Sequence, residues 1–127
     1  TLWHTLSLHD ALPICLGPCS ELYGTSHFHV DLYGNYIPGV CSGLAADVED
    51  VPGSLSRDRY PVLARLMEEG LRAVVVLAAE EHAYQPRDAY GGKCELCYDV
   101  RRYLVQKAQF HSRDLEPREL YDKIAGY

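Results

Sequence analysis

Cysteines at metal-ligand spacings are the residues of this chain whose types could do chemistry. Cys94 and Cys97 form a Cys-x2-Cys pair in GGKCELC, Cys15 and Cys19 lie in CLGPC, and Cys41 closes YGNYIPGVC. Thiolates bind zinc, copper(I) and iron–sulfur clusters, and a tetrahedral or cluster site needs four of them. We select Cys19, Cys41, Cys94 and Cys97 as metal ligands, because a fifth thiolate is surplus to such a site.

The Cys94/Cys97 pair has two other interpretations. Cysteine is often buried, so the two thiols could belong to the core, or they could form a redox dithiol of the thioredoxin type. The dithiol interpretation needs a βαβ context that does not surround the pair. At i and i+3 of a predicted helix, the two cysteines share a face at the helix start, where partial positive charge favours thiolates. We therefore predict metal ligands.

Composition excludes several classes of protein. The net charge of −6 disfavours a nucleic-acid surface, which needs clustered Lys and Arg. No apolar run approaches the roughly 20 residues of a membrane span, and no secretory signal is visible. Five cysteines is an odd number, which disfavours a disulfide framework and favours the reducing cytoplasm.

The first residues do not read as the start of a domain. HTLSLHDALPI, within residues 1–14, resembles translated sequencing-adapter read-through. We interpret residues 1–14 as a non-native leader and residues 15–127 as a single C-terminal domain fragment. His4 and His9 are then no longer candidate ligands, and Cys15 lies at the junction.

A β-hairpin is predicted to deliver Cys41. Apolar and polar residues alternate in HFHVDLY, residues 27–33, as in a half-buried strand. Gly34-Asn35 is a two-residue hairpin signal, and Tyr36-Ile37 begins the return strand. Pro38-Gly39 ends that strand and leaves Cys41 on a loop near Cys19.

The remainder reads as mainly helical. We predict a loop over residues 42–57, then helices over 58–69, 71–84, 94–107 and 117–125. Residues 71–84 could also form a buried strand, which Val74-Val75-Val76 favours, but the length of the segment and its Ala and Glu content favour a helix. In the third of these helices, Val100, Tyr103 and Leu104 fall on one side, with Arg101 and Arg102 directed outward. The predicted fold class is α+β, a short β-hairpin followed by about four helices around a metal-cluster site.

Histidines offer a weaker metal hypothesis. His27, His29 and Asp31 lie on one face of the predicted strand, and two His with a carboxylate suit a metal such as non-haem iron. The alternative, which we favour, is a polar strand face that hydrogen-bonds to cluster sulfurs or to another domain. His82 and His111 lie in charged surroundings and are expected at the surface.

The hairpin and the cysteine pair together resemble a known family. HFHVDLYGNYIPGVCSGLA, with GPCSEL before it and GGKCELCYDVRRYL after it, resembles the C-terminal auxiliary-cluster domain, of the SPASM or twitch type, of radical SAM proteins. The likeness covers residues 15 to 121, and its most specific part is D-x-x-G-N-x-x-P-x-x-C from Asp31 to Cys41. It implies one [4Fe–4S] cluster, ligated by Cys19, Cys41, Cys94 and Cys97. It also implies a partner, the missing N-terminal radical SAM barrel, and a peptide or small-molecule substrate.

The catalytic motif of that family is incomplete here. Radical SAM catalysis needs Cys-x3-Cys-x2-Cys, and although Cys15 and Cys19 have the first spacing, residue 22 is Leu. We therefore predict no catalytic residue in this chain and expect S-adenosylmethionine only in the full-length parent. The implied function is electron transfer or substrate anchoring. A structural zinc-binding interaction module stays open as the alternative, since four thiolates suit both centres, and so does a metal-free helical domain.

Overall fold

Three short strands and four α-helices make up the part of the chain that is described. The structure is a computed structural model and describes residues 19, 22, 27–39, 41–51 and 53–123. Strands β1 (Phe28–Val30), β2 (Asn35–Pro38) and β3 (Ala46–Asp47) form an antiparallel sheet in the order β1-β2-β3. The helices are α1 (Pro61–Glu68), α2 (Leu71–His82), α3 (Lys93–Gln106) and α4 (Arg118–Asp122). The predicted α+β class is confirmed, whereas the predictions for residues 1–14 and Cys15 lie outside the described residues.

The hairpin turn is longer than predicted. β1 ends at Val30 and β2 begins at Asn35, so the connection spans residues 31–34. The Asp31 carboxylate accepts hydrogen bonds from the backbone amides of Tyr33 at 2.8 Å and Asn35 at 3.0 Å, and from the Asn35 side chain at 2.7 Å. A carboxylate that bonds to the backbone just after it nucleates a turn instead of continuing a strand. The two-residue turn was therefore wrong.

The burial predicted for the first strand was also wrong. Phe28 is 49% exposed and Val30 is 50% exposed, so the apolar side chains of β1 are only half covered. The Phe28 ring stacks on Tyr36 of β2, with 5.3 Å between ring centroids. Alternation of apolar and polar residues identified the strand, but what packs on its apolar face decides whether that face is buried.

Residues 42–57, predicted as a loop, contain β3 and a short 3-10 helix, Val48–Asp50. β3 pairs with β2, placing Ala46 opposite Tyr36 and Asp47 opposite Asn35. A strand of two residues is too short to show a period in sequence. It exists because of its pairing, which the flanking residues alone do not reveal.

The four predicted helices are confirmed, and the described boundaries differ by a few residues. Pro61 opens α1, where its missing N–H costs nothing. Gly70 ends α1 with φ +89°, and its amide bonds to the carbonyls of Arg65 and Leu66 at 3.1 Å. The predicted end of the last helix, residues 124–125, lies outside the described part.

One apolar core joins the helices to the segment that follows Cys41. Buried side chains of α1, α2 and α3 pack with Leu44 and Ala46 from the sheet side and with Tyr121 from α4. Leu22 joins the same cluster and is 5% exposed. Because helix α3 packs against both α2 and α4, its orientation is fixed. No helix in the described ranges combines the length and the apolar character that crossing a bilayer requires.

Candidate metal centre

Four cysteines from three separate segments line one cavity of about 300 Å³. They are the four that the sequence selected, Cys19, Cys41, Cys94 and Cys97. The rest of the lining combines apolar side chains with two cations and one serine: Leu44, Leu66, Leu71, Tyr98, Lys93, Arg101 and Ser42. Distant thiols have therefore been brought to one mainly apolar recess.

Helix α3 positions two of the thiols. Cys94 and Cys97 are its second and fifth residues, one turn apart on the same face. The start of the helix is tied to the preceding loop, since Glu95 accepts a hydrogen bond from the Gly91 amide at 2.5 Å and pairs with Arg87 at 2.9 Å. The two cysteines thus lie on a defined helix terminus, as predicted.

A buried hydrogen-bond network joins α3 to the segment that precedes it. Tyr84 and Tyr90 both donate to Oδ2 of Asp99, at 2.6 Å and 2.7 Å. Burial, and then the hydrogen bond to Asp99, raise the pKa of Tyr84, so this hydroxyl stays a donor. Both tyrosines belong to the segment between α2 and α3, so the network clamps that segment onto α3 and steadies the helix that carries Cys94 and Cys97.

The other two thiols come from loops tied to the core. The Cys41 amide bonds to the Pro38 carbonyl at 3.1 Å, and the Cys41 carbonyl accepts from Leu44, a core residue, at 3.2 Å. The Cys19 carbonyl accepts from Leu22 at 3.2 Å. A hydrogen bond from the Cys19 thiol lowers the pKa of Cys41 from its ordinary value, opposed by burial and by the charge of Cys97. The site therefore favours thiolate at Cys41, the form that binds metal.

The two candidate metal centres differ in how their ligands are arranged. In the described part of the chain, no three His, Cys, Asp or Glu side chains converge on a point where one ion could be held. A zinc ion needs its four sulfurs about 2.3 Å from such a point. In a [4Fe–4S] cluster each cysteine binds a different iron, so the four sulfurs surround a larger body. Zinc and a [4Fe–4S] cluster therefore both stay candidates for the four thiols.

We compared the chain with known protein families, with curated proteins and with solved structures. None of them matches it. The site therefore has to be interpreted from its own residues, and the ligand roles of the four cysteines stay predictions.

The predicted outward orientation of Arg101 was wrong. The sequence predicted that Arg101 and Arg102 point outward, but Arg101 is 5% exposed and lines the cavity. Its position, four residues after Cys97 and seven after Cys94, puts it on the cysteine face of α3. The spacing from the two cysteines predicts this position, whereas two adjacent arginines are more typical of a solvated surface.

The histidine hypothesis has less support. The His27 and His29 rings contact each other edge to face, with 5.6 Å between centroids, and both residues are exposed. The carboxylate of Asp31 is engaged by its own turn. The structure therefore fits the exposed polar face better than a metal triad. Of the two histidines expected at the surface, His111 is exposed, whereas His82 is partly buried against the ring of Phe110.

The Asp31 turn predicts how the hairpin responds to acid. The Asn35 side chain and the amides of Asn35 and Tyr33 donate to this carboxylate and hold the pKa of Asp31 below its ordinary value of 3.8. Since the folded pKa is the lower one, the stabilisation is complete above the unfolded pKa and is lost as the pH falls through the folded pKa. An NMR titration from about pH 5 to pH 2 should show Asp31 and the Asn35 amide changing together below 3.8. The Asp31→Asn control should lack this transition, and an Asp31 midpoint at or above 3.8 would contradict the prediction.

Proposed function

We propose that this chain binds a [4Fe–4S] cluster through Cys19, Cys41, Cys94 and Cys97. The observation that carries the proposal is the single cavity that these four thiols line. Four thiolates are the ligand set that such a cluster needs. The lowered pKa of Cys41, caused first by the Cys19 hydrogen bond, also suits metal ligation.

The resemblance of the hairpin motif supplies the biological context of the proposal. On this view the chain is the auxiliary-cluster domain of a radical SAM enzyme, and the barrel that binds S-adenosylmethionine belongs to the rest of that enzyme. The compartment is the reducing cytoplasm, where thiols stay available for metal. A peptide or a small molecule would be the substrate of the parent enzyme.

The residues around the thiols define what the domain contributes. A cluster held by all four cysteines would supply one-electron transfer, whereas anchoring of substrate at an iron would require one of the thiolates to leave its iron. The side chains of Leu44, Leu66 and Leu71 form the apolar part of the cavity lining, beside three half-buried thiols and the exposed Cys94. The Tyr84–Tyr90–Asp99 network keeps α3, and with it Cys94 and Cys97, in a fixed orientation. The domain therefore holds the cluster ligands in a fixed orientation.

Anaerobic reconstitution with iron and sulfide tests the proposal. The wild-type chain should bind about four irons and develop a broad absorption band near roughly 400 nm, the region of thiolate-to-iron charge transfer. The Cys94→Ala/Cys97→Ala variant should lose both signals. Cys15→Ala is the matched control, since it removes a thiol outside the predicted ligand set and should retain the iron and the band.

The zinc alternative gives a different result in the same experiment. A colourless chain that takes up one zinc, and loses it in the Cys94→Ala/Cys97→Ala variant, would replace the cluster proposal by a structural zinc module. A chain that takes up neither metal would contradict both, and would favour thiols that only pack.

A further inference from the structure

A permanently charged side chain is buried beside the thiols. Arg101 is 5% exposed and lines the cavity next to Cys97. Burial alone would lower the pKa of its guanidinium, but the neighbouring Cys97 and Tyr121 side chains hold that pKa above its ordinary value. Burying a charge is costly unless a partner of opposite sign faces it. The Cys97 thiol, four residues earlier on the same helix, lies on this side of the cavity.

The contacts of Arg101 connect the two halves of the site. Its Nη1 donates to the Ser42 carbonyl and to the Tyr121 hydroxyl, both at 2.7 Å. Tyr121 in turn donates to the Gly43 carbonyl at 2.6 Å. Ser42 and Gly43 follow Cys41 directly, so these bonds fasten the Cys41 loop to the helix that carries Cys97.

Two further features describe the surroundings of the Arg101 guanidinium. Its central carbon lies 5.4 Å from the centroid of the Tyr98 ring, a cation–π distance. Its Nε is buried, and the described residues provide no hydrogen-bond acceptor for it. A bound cluster would bring sulfur acceptors into the cavity that Arg101 lines.

We propose that Arg101 is a positioning residue and the fixed counter-charge of the cluster, holding the Cys41 loop against α3 and raising the reduction potential of the bound cluster. This inference rests on the proposed function. When one electron from an added reductant enters the cluster, the centre gains one negative charge and no bond is broken. A nearby fixed positive charge stabilises that reduced form more than the oxidised one, and net charge and hydrogen bonds to the sulfurs are known determinants of potential.

A redox titration of the reconstituted chain tests the inference. Wild type, Arg101→Gln and Arg101→Lys are reduced stepwise with dithionite and followed by electron paramagnetic resonance. We expect a more negative midpoint potential for Arg101→Gln, with Arg101→Lys closer to wild type. Arg102→Gln is the matched control. It removes the same charge from the same helix, at a residue that pairs with Asp99 and does not line the cavity, and should keep the wild-type potential.

Tyr121→Phe separates positioning from charge. This variant removes the hydroxyl that links Arg101 to Gly43 but keeps the guanidinium, so iron uptake should fall while the potential of the loaded fraction stays unchanged. If Arg101→Gln has a wild-type melting curve but takes up no iron, its reduction potential cannot be measured, and iron uptake by Arg101→Lys tests the inference instead. Iron uptake by Arg101→Lys would support a counter-charge role for Arg101, and a lack of iron uptake would overturn that role.

The outcomes distinguish this inference from the proposed function. If the wild-type chain forms a cluster whose potential is the same in Arg101→Gln, the counter-charge inference is overturned and the proposed function stands. If the wild-type chain takes up no iron, the proposed function fails, and the inference fails with it.

Discussion

Replacing Gly43 with alanine is expected to lower the free energy of unfolding by roughly 2–5 kcal/mol and to reduce cluster uptake. Gly43 has φ +89°, a conformation that costs an L-residue about 1–2 kcal/mol. An added Cβ would also clash with the Tyr121 hydroxyl and lie 2.9 Å from Nη1 of Arg101. Overpacking of this kind adds about 1–3 kcal/mol. The substitution therefore disrupts the contacts that join the Cys41 loop to α3.

Gly34→Ala is the matched control for Gly43→Ala. Gly34 has a similar φ of +81°, but no heavy atom lies within 4 Å of the position where its Cβ would be. It should therefore show only the conformational cost of about 1–2 kcal/mol. Urea unfolding gives both free energies, and iron content after reconstitution reports on the site. Equal losses of stability in the two variants would show that Tyr121 and Arg101 move aside without cost.

Replacing Asp114 with alanine is expected to lower the free energy of unfolding by roughly 2–4 kcal/mol. Oδ2 of Asp114 accepts hydrogen bonds from the backbone amides of Val62 and Leu63, both at 2.7 Å. These amides lie in the first turn of α1, where no helical carbonyl is available to them. Asp114 is fully buried, so its removal would leave both donors without water as a substitute.

Two further variants test whether loss of the helix cap causes the lower stability of Asp114→Ala. Asp114→Asn keeps an acceptor oxygen and should recover part of the lost stability, whereas Ser112→Ala removes only the 2.6 Å bond from Ser112 to Oδ1 of Asp114 and should cost less. Thermal and urea unfolding of the three variants measure these differences. A loss of less than about 1 kcal/mol in Asp114→Ala would contradict the capping role.

Local signals explain why the helices were predictable. Pro61 and Gly70 mark the two ends of α1 through properties of their own backbones, and these hold in any surroundings. The start of α3 at Lys93 follows Gly91-Gly92 in the same way. The ligand pair on α3 was predictable because residues three apart on a helix share a face whatever packs against it.

Features that depend on distant residues were missed. The amides at the start of α1 are capped by Asp114, about fifty residues later in the chain, and no pattern near Pro61 announces it. The strand β3 exists through its pairing with β2. The charge of Arg101 predicts a surface position, but the Cys41 loop covers that side of α3.

The sequence by itself determined the α+β class, the four helices and the four cysteines that line one cavity. Each of these follows from local periodicity, capping chemistry or residue type. Only the tertiary structure decided that Arg101 faces the thiols, that Asp114 caps α1 and that the β1 side chains stay exposed. The reason is that burial and pairing depend on which segment packs opposite, and that is a property of the whole chain rather than of its neighbouring residues.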